Sequence, residues 1–319
     1  MDKDGKIFVT GHEEMIGSAI RRRLEGDGFT RLVTGSSIEL DLTNQKTVLK
    51  FFLTERPDYV FLNSSRVGGI LANSRYPAEF IYTNLMSQTN VIHAAWKSKV
   101  KKLLFLGSSC IYPKDCPQPM KEEYLLSGKL EPTSEPYAVA KIAGIRMCQS
   151  YNRQYGTKYI SVVPADVYGP GDDFNPETGH VLPALISKMH LAKIHSEPSV
   201  VVWGSGLPRR EALHVDDLAD ACVFLMHNYD KSEMINVGSG GDVSIRELAE
   251  VIRGTVGFKG NLVFDESKPD GMPRKLLDSS KINQMGWSAQ IKPENGIEWT
   301  YQWYRDNCAT SARPSGGKL

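Results

Sequence analysis

No run of apolar residues in this chain is long enough to cross a bilayer, and none near its start has the length of a secretory leader. The expectation is a cytoplasmic protein with no membrane partner. Cysteine is scarce too. The five, Cys110, Cys116, Cys148, Cys222 and Cys308, are odd in number and scattered, which argues against a disulfide framework and suits free thiols in a reducing compartment. Neither sign of charge is in excess: 38 Lys and Arg against 37 Asp and Glu leave +1, so no global field recruits nucleic acid. One local run, Lys97, Lys99, Lys101 and Lys102, reads as a solvated patch. No metal site is assigned. Internal repeats are missing, and a Ser-, Gly- and Pro-rich tail over 309–319 is expected to be disordered.

What is present is an alternation. Strand-like apolar segments at 7–10, 31–34, 59–62, 103–106 and 159–163 alternate with helical patterns at 16–24, 45–52, 78–96 and 138–155. Strands apolar throughout are buried on both faces. The pattern therefore predicts an α/β fold, a Rossmann-type doubly wound parallel sheet whose ligands gather beyond the carboxyl ends of the strands. After Pro170 the chain turns to Asp, Asn and Pro over 171–179, followed by a helix over 180–193 and a strand over 200–203. Residues 216–227 read as a return to the first unit, and Ser244 with Glu247 forms a capping box for a helix over 244–256. The expected division is a dinucleotide-binding-type domain over 1–170 plus about 205–240, with a smaller C-terminal substrate lobe over 171–204 and 241–308.

Between the first strand and helix lies Gly11-His12-Glu13-Glu14-Met15-Ile16-Gly17. A dinucleotide turn asks for G-x-x-G-x-x-G or G-x-G-x-x-G, so that backbone N–H groups and a helix N-terminus can approach a pyrophosphate. The outer glycines are there. The middle one is not, and two carboxylates stand where phosphate oxygens would sit, although both suit a helix N-terminus in their own right.

Gly107-Ser108-Ser109-Cys110 directly follows a buried strand. Tyr137 and Lys141, four apart, share a helix face, so the ammonium can lower the phenol's pKa and hold a cofactor ribose. A hydroxyl of Ser108 or Ser109 can bind a substrate oxygen, which makes Tyr137 a general acid/base toward a carbonyl. Cys110 and His180 are both types that move protons near neutral pH. Taken as an isolated pair, they more often turn out to be a buried small hydrophobe and a helix cap.

Long motifs then carry a resemblance. The run 102–114, the segments 130–133 and 137–145, Tyr168-Gly169-Pro170, 180–185, His214-Val215-Asp216-Asp217 and 268–275 closely resemble the GDP-L-fucose synthases, extended short-chain dehydrogenase/reductases, and especially their plant branch. The resemblance covers the chain to about residue 307. It implies a nucleotide-sugar substrate, GDP-4-keto-6-deoxymannose, epimerised at C3 and C5 and then reduced at C4 by NADPH. Cys110 and His180 match the epimerisation base and acid, and Ser108, Tyr137 and Lys141 match the reductase triad. Asp166, Lys188, Trp203, Arg210 and Asp270 fall on substrate positions. Gly11, Glu13, Glu14, Ile16, Gly17, Ser37, Asp41 and Lys141 fall on NADP(H) positions. A homodimer paired through the helices at 78–96 and 138–155 is also implied.

The departures cluster on the cofactor. The family reads Gly-His-Arg-Gly where this chain has Gly11-His12-Glu13-Glu14, and Ser37 replaces a second arginine. Asn63-Ser64-Ser65-Arg66 replaces Ala-Ala-Ala-Lys, Asp166 an asparagine, Ala212 a phenylalanine and Lys188 an arginine, whose bidentate fork a lysine lacks. The expectation is an enzyme whose NADPH binding is weakened or lost and whose Tyr137, Cys110 and His180 serve redox-neutral chemistry: epimerisation, isomerisation or cyclisation. Two alternatives stand beside it, a functional NADPH-dependent synthase and a non-catalytic homologue.

Overall fold

Strand burial dictates the architecture. In the computed structural model, which describes residues 1–33, 40–63 and 66–309, every residue of the segments 102–106 and 159–164 is buried. Ser37, Ser64, Ser65 and the tail beyond 309 lie outside the described residues. The first half runs β1 (Ile7–Val9), α1 (Met15–Gly26), β2 (Leu32–Val33), α2 (Gln45–Glu55), β3 (Tyr59–Leu62), α3 (Ile70–Arg75), α4 (Pro77–Lys97), β4 (Lys102–Leu106), α5 (Glu135–Tyr155) and β5 (Tyr159–Pro164). It continues with β6 (Asp166–Tyr168), α6 (Val181–Ile194), β7 (Ser199–Trp203), β8 (Arg209–Arg210), β9 (Ala212–His214), α7 (Val215–Asn228), β10 (Ile235–Val237) and β11 (Val243–Ser244). The chain closes with α8 (Ile245–Val256), β12 (Asn261–Asp265), β13 (Arg274–Lys275), α9 (Ser280–Gln284) and α10 (Pro293–Asn307).

Six strands form one parallel sheet in the order β10-β5-β4-β3-β1-β2. From β1 the chain steps one way to β2 and the other way to β3. The crevice between their carboxyl ends is where such a sheet receives its ligand. Helices α2, α4 and α5 pack as one layer, and α1 packs with α7. This is the Rossmann-type fold the alternation predicts.

A second apolar cluster joins α6, α8 and α10 through Leu185, Ile186, Met189, Leu248, Ile252, Ile297 and Tyr304, with β7 and β12 paired in parallel beside it. The Ser244–Glu247 capping box is formed, and α8 ends on Gly257 in the left-handed region. Three short ladders bridge toward the main sheet: β6 with β9, and β8 with both β11 and β13.

One charge expectation fails. Lys102 is buried, not solvated: its ammonium bonds the carbonyls of Leu225 and Met226 at the end of α7 and pairs with Asp230 at 2.7 Å. A cation there complements the carbonyl-rich helix terminus. All five cysteines are free, and no helix among the described residues is long and apolar enough to cross a membrane.

Candidate active site

The turn after β1 is shaped by its own packing. Gly11 sits at φ +58°, and a β-carbon on Gly17 would lie 2.0 Å from the Gly11 carbonyl oxygen, so both glycines are needed to let α1 back onto the turn. Glu14 does not behave as a helix-capping acid. It occupies the N-cap position without a side-chain cap bond. Its carboxylate folds over Gly11 instead, with Oε2 2.6 Å from where a Gly11 β-carbon would be, and Asn63 Nδ2 faces the same point at 3.3 Å. The partial enclosure raises the Glu14 carboxyl, and the Lys141 ammonium opposes that rise. Glu13 points to solvent, 3.8 Å from His12 Nε2. Ile16 is half-buried in the first turn of α1. Asp41 is spent locally, its Oδ1 accepting from the Thr43 N–H and hydroxyl ahead of α2.

Beyond β4, Ser108 caps a single 3₁₀ turn by accepting from the Cys110 N–H at 3.3 Å, which sets both residues in one turn at the carboxyl end of the sheet. Tyr137 and Lys141 rise from α5 toward the same edge. The expectation that Lys141 lowers the phenol's pKa is not met. Lys141 Nζ donates to the Leu106 carbonyl at 2.8 Å and lies 5.7 Å from the Tyr137 ring centre. Burial therefore dominates, pushing the phenol well above its usual value, with Cys110 adding to the rise and a bond with the Ser108 hydroxyl working against it. Tyr137 is thus a protonated acid at neutral pH. Burial pushes Lys141 down to about 7, with the Glu14 carboxylate pulling the other way.

The third wall comes from the second half of the chain. Asp166 opens β6, and Lys275 closes β13. Lys275 Nζ is 2.8 Å from Asp166 Oδ1 and 3.8 Å from Cys110 Sγ, and Arg210 Nε is 3.9 Å from Asp166 Oδ2. Burial works to raise the Asp166 carboxyl, yet Lys275 and Arg210 together hold it below the usual range. His180 precedes α6 at the N-cap position without capping it. Its imidazole is lowered by burial, while Asp166 pulls it back toward the charged form. Although deep among protein atoms, His180 and Asp166 both retain solvent-accessible surface, as walls of an open cleft do.

On the far side, Lys188 and Lys268 both lie over the Trp203 ring, at 5.4 and 5.5 Å from its centre. Arg210 is tied to the carbonyls of Arg209, Met272 and Asp270, and the Asp270 carboxylate accepts from the N–H and hydroxyl of Ser205.

Residues 7–238 match the NAD dependent epimerase/dehydratase family. A putative GDP-L-fucose synthase 2 from Arabidopsis thaliana is 58% identical over 96% of this chain and 94% of its own length. The GDP-L-fucose synthase of Escherichia coli K12 is 53% identical over 95% and 97%. The chain belongs to the GDP-L-fucose synthase family. Among solved structures, a GDP-6-OMe-4-keto-L-xylo-heptose reductase from C. jejuni superposes with TM-score 0.92 at 41% identity, covering 96% of this chain and 99% of its own. A Naegleria fowleri GDP-L-fucose synthetase bound to NADP superposes with TM-score 0.89 at 29% identity, covering 97% of each chain. Membership makes the chain a short-chain dehydrogenase/reductase-type enzyme, and its relatives support a nucleotide-sugar substrate and NADP(H) use.

Within this family frame, two cleft residues escaped the sequence reading. Lys275 and Lys268 both lie inside the 268–275 motif that carried the family resemblance, but nothing in the local pattern distinguishes a lysine aimed at a thiol from one facing water.

Proposed function

We propose that this member of the GDP-L-fucose synthase family is an acid/base enzyme that moves protons on a carbonyl-type substrate without net redox change, in an epimerisation, isomerisation or cyclisation. The observation that carries this reading is the Glu14 carboxylate lying over Gly11. A dinucleotide fits only if its pyrophosphate can approach the N–H groups of that turn, and the side chain present there is an anion rather than open space. The steps below draw on this chain's own residues and route nothing through NADP(H).

The remaining groups suffice for proton transfer. Cys110 removes a proton from a carbon beside the carbonyl. The enolate oxygen that forms is met by donors from Ser108 and the protonated Tyr137, which stabilise charge that is absent in the ground state. His180, across the cleft, returns a proton to carbon or oxygen. The electron pair released on deprotonation ends in the new C–H or C–C bond, so no hydride donor is consumed. The two lysines over Trp203 favour a substrate that is anionic or aromatic at its distal end, as a nucleotide sugar is.

A second reading has its own support. The five residues that the family resemblance assigns to catalysis are all present in the chain, and the alignments with the Arabidopsis and E. coli synthases span more than nine-tenths of each protein. In that reading the chain is an NADPH-dependent 3,5-epimerase/4-reductase, with Glu14 rotating away when cofactor arrives. NADPH titration by calorimetry separates the two. Affinity at least tenfold weaker than that of a synthase carrying Gly-His-Arg-Gly supports the redox-neutral enzyme. Low-micromolar affinity together with reduction of GDP-4-keto-6-deoxymannose overturns it.

A further inference from the structure

We propose that Ala212 and Asp166 set which sugar this cleft accepts. Standing where the family has phenylalanine and asparagine, they open a pocket near Cys110 for a hydroxylated arm on the sugar ring. A nucleotide sugar carrying a hydroxymethyl group or a longer polar arm is then favoured over one carrying a methyl. The inference rests on the acid/base reading above, with its nucleotide-sugar substrate, and names the substrate class within it.

The register of two short strands places the pair. Asp166 lies opposite Ala212, and Tyr168 opposite His214, across the parallel β6–β9 ladder. Alternate residues of a strand face opposite ways. Val167 and Leu213 pack with the main core, whereas Tyr168 and Ala212 pack with the second apolar cluster. Asp166 and Ala212 therefore share the face that looks away from the main core. The Asp166 side chain is 40% exposed there, and Ala212 keeps solvent-accessible surface beside it. A phenylalanine at 212 would extend its ring into that space, which the alanine methyl leaves open.

The same geometry locates the pocket along the substrate. Asp166 Oδ1 is 2.8 Å from Lys275 Nζ, which is 3.8 Å from Cys110 Sγ, so the gap lies by the reacting end of the cleft. In a 4-keto sugar the carbons beside the carbonyl are C3 and C5, and C5 carries the exocyclic arm. A base working on C5 has that arm as its neighbour.

The polarity of the pocket follows from what the carboxylate has left over. Oδ1 is taken by Lys275. Oδ2 sits 3.9 Å from Arg210 Nε, beyond hydrogen-bond reach, and accepts no hydrogen bond among the described residues. The terminal nitrogens of Arg210 are spent on the carbonyls of Arg209, Met272 and Asp270. A hydroxyl can donate to the remaining oxygen and a methyl cannot.

The test titrates the full chain, without dinucleotide, with GDP-mannose, its 6-deoxy counterpart and GDP alone by calorimetry. The two sugars differ by one oxygen on the arm, and neither has a 4-keto group to turn over. The native chain should bind GDP-mannose about tenfold more tightly than the 6-deoxy sugar, the effect of one hydrogen bond to a charged acceptor. Asp166→Asn, which keeps the space but loses the charge, should leave about a threefold preference. Ala212→Phe should bring the ratio to one or below while GDP binding holds. The smaller Ala212→Leu should fall between, and it decides the matter if the phenylalanine variant misfolds. A native chain with no preference for the hydroxylated sugar, or a folded Ala212→Phe with the native ratio, overturns the proposal. Failure to bind either sugar overturns it as well, together with the nucleotide-sugar substrate. Low-micromolar NADPH affinity would instead end the redox-neutral reading and leave these ratios as stated, so the two failures are distinguishable.

Discussion

Exchanging Glu13 and Glu14 for arginine and glycine should tighten the binding of NADPH. A carboxylate about 5 Å from a phosphate charge costs roughly 3 kcal/mol at an effective dielectric near 20. Glu14 keeps contact with water across the cleft, so screening cuts this to about 1.5 kcal/mol, or roughly tenfold in affinity. Glu13 faces solvent and repels weakly, but an arginine there would add a charged hydrogen bond worth about 1.5 kcal/mol. The combined variant should therefore bind NADPH about a hundredfold more tightly than the native chain, with Glu14→Gly alone giving about a tenth of that gain. Calorimetric titration of the three proteins at fixed salt measures this directly. Raising the salt should narrow the gap, because repulsion at an open cleft is screened. Equal affinities in all three proteins would refute the argument, since they would mean that the carboxylate moves aside at no cost.

Four further outcomes are expected. Tyr137→Phe should abolish most turnover of the native substrate while leaving substrate binding nearly intact, read as a fall in kcat at similar KM, because the lost donor acts on developing charge. Gly17→Ala should lower stability by about 4 kcal/mol or more, read by urea unfolding, as its β-carbon has no room beside the Gly11 carbonyl. Burial raises Glu211 to about 7, so the folded state binds a proton that the unfolded chain releases. Native stability should then fall as pH rises from about 4.5 to 7, and Glu211→Gln should remove a drop on the order of 3 kcal/mol between pH 5 and 8. Helices α4 and α5 expose Tyr82 and Val139, and we expect them to form the homodimer contact. Light scattering at micromolar concentration should give a dimer mass, and lysine at both positions should give the monomer; a monomeric native chain would sink the idea.

The parallel sheet was legible because its strands are apolar on both faces, a signal that needs no knowledge of their neighbours. Helix α5 and its Tyr137–Lys141 spacing were legible for a similar reason, since i and i+4 always share a face. What stayed hidden depended on partners distant in sequence. Lys275 meets Asp166 across 109 residues, on a strand only two residues long, too short for any periodicity to register. Lys102 looked like one more surface charge until α7 supplied the carbonyls that hold it. Glu14 was placed correctly along the chain but not in orientation, because helix-start propensity describes the backbone and not which way a carboxylate folds. The phenol of Tyr137 is pushed up by burial, which a four-residue spacing does not register.

The contact between Gly17 and the Gly11 carbonyl bears on how such enzymes change their chemistry. Because the two glycines serve the fit of helix to turn, selection for a folded chain alone preserves them after any selection for a dinucleotide has lapsed. Between them His12, Met15 and Ile16 also pack inward, but the exposed side chains of Glu13 and Glu14 carry no such duty. A lineage can therefore rewrite positions 13 and 14 one substitution at a time without passing through an unfolded intermediate. The two outer glycines of this turn are accordingly kept by packing, whichever side chains stand at positions 13 and 14.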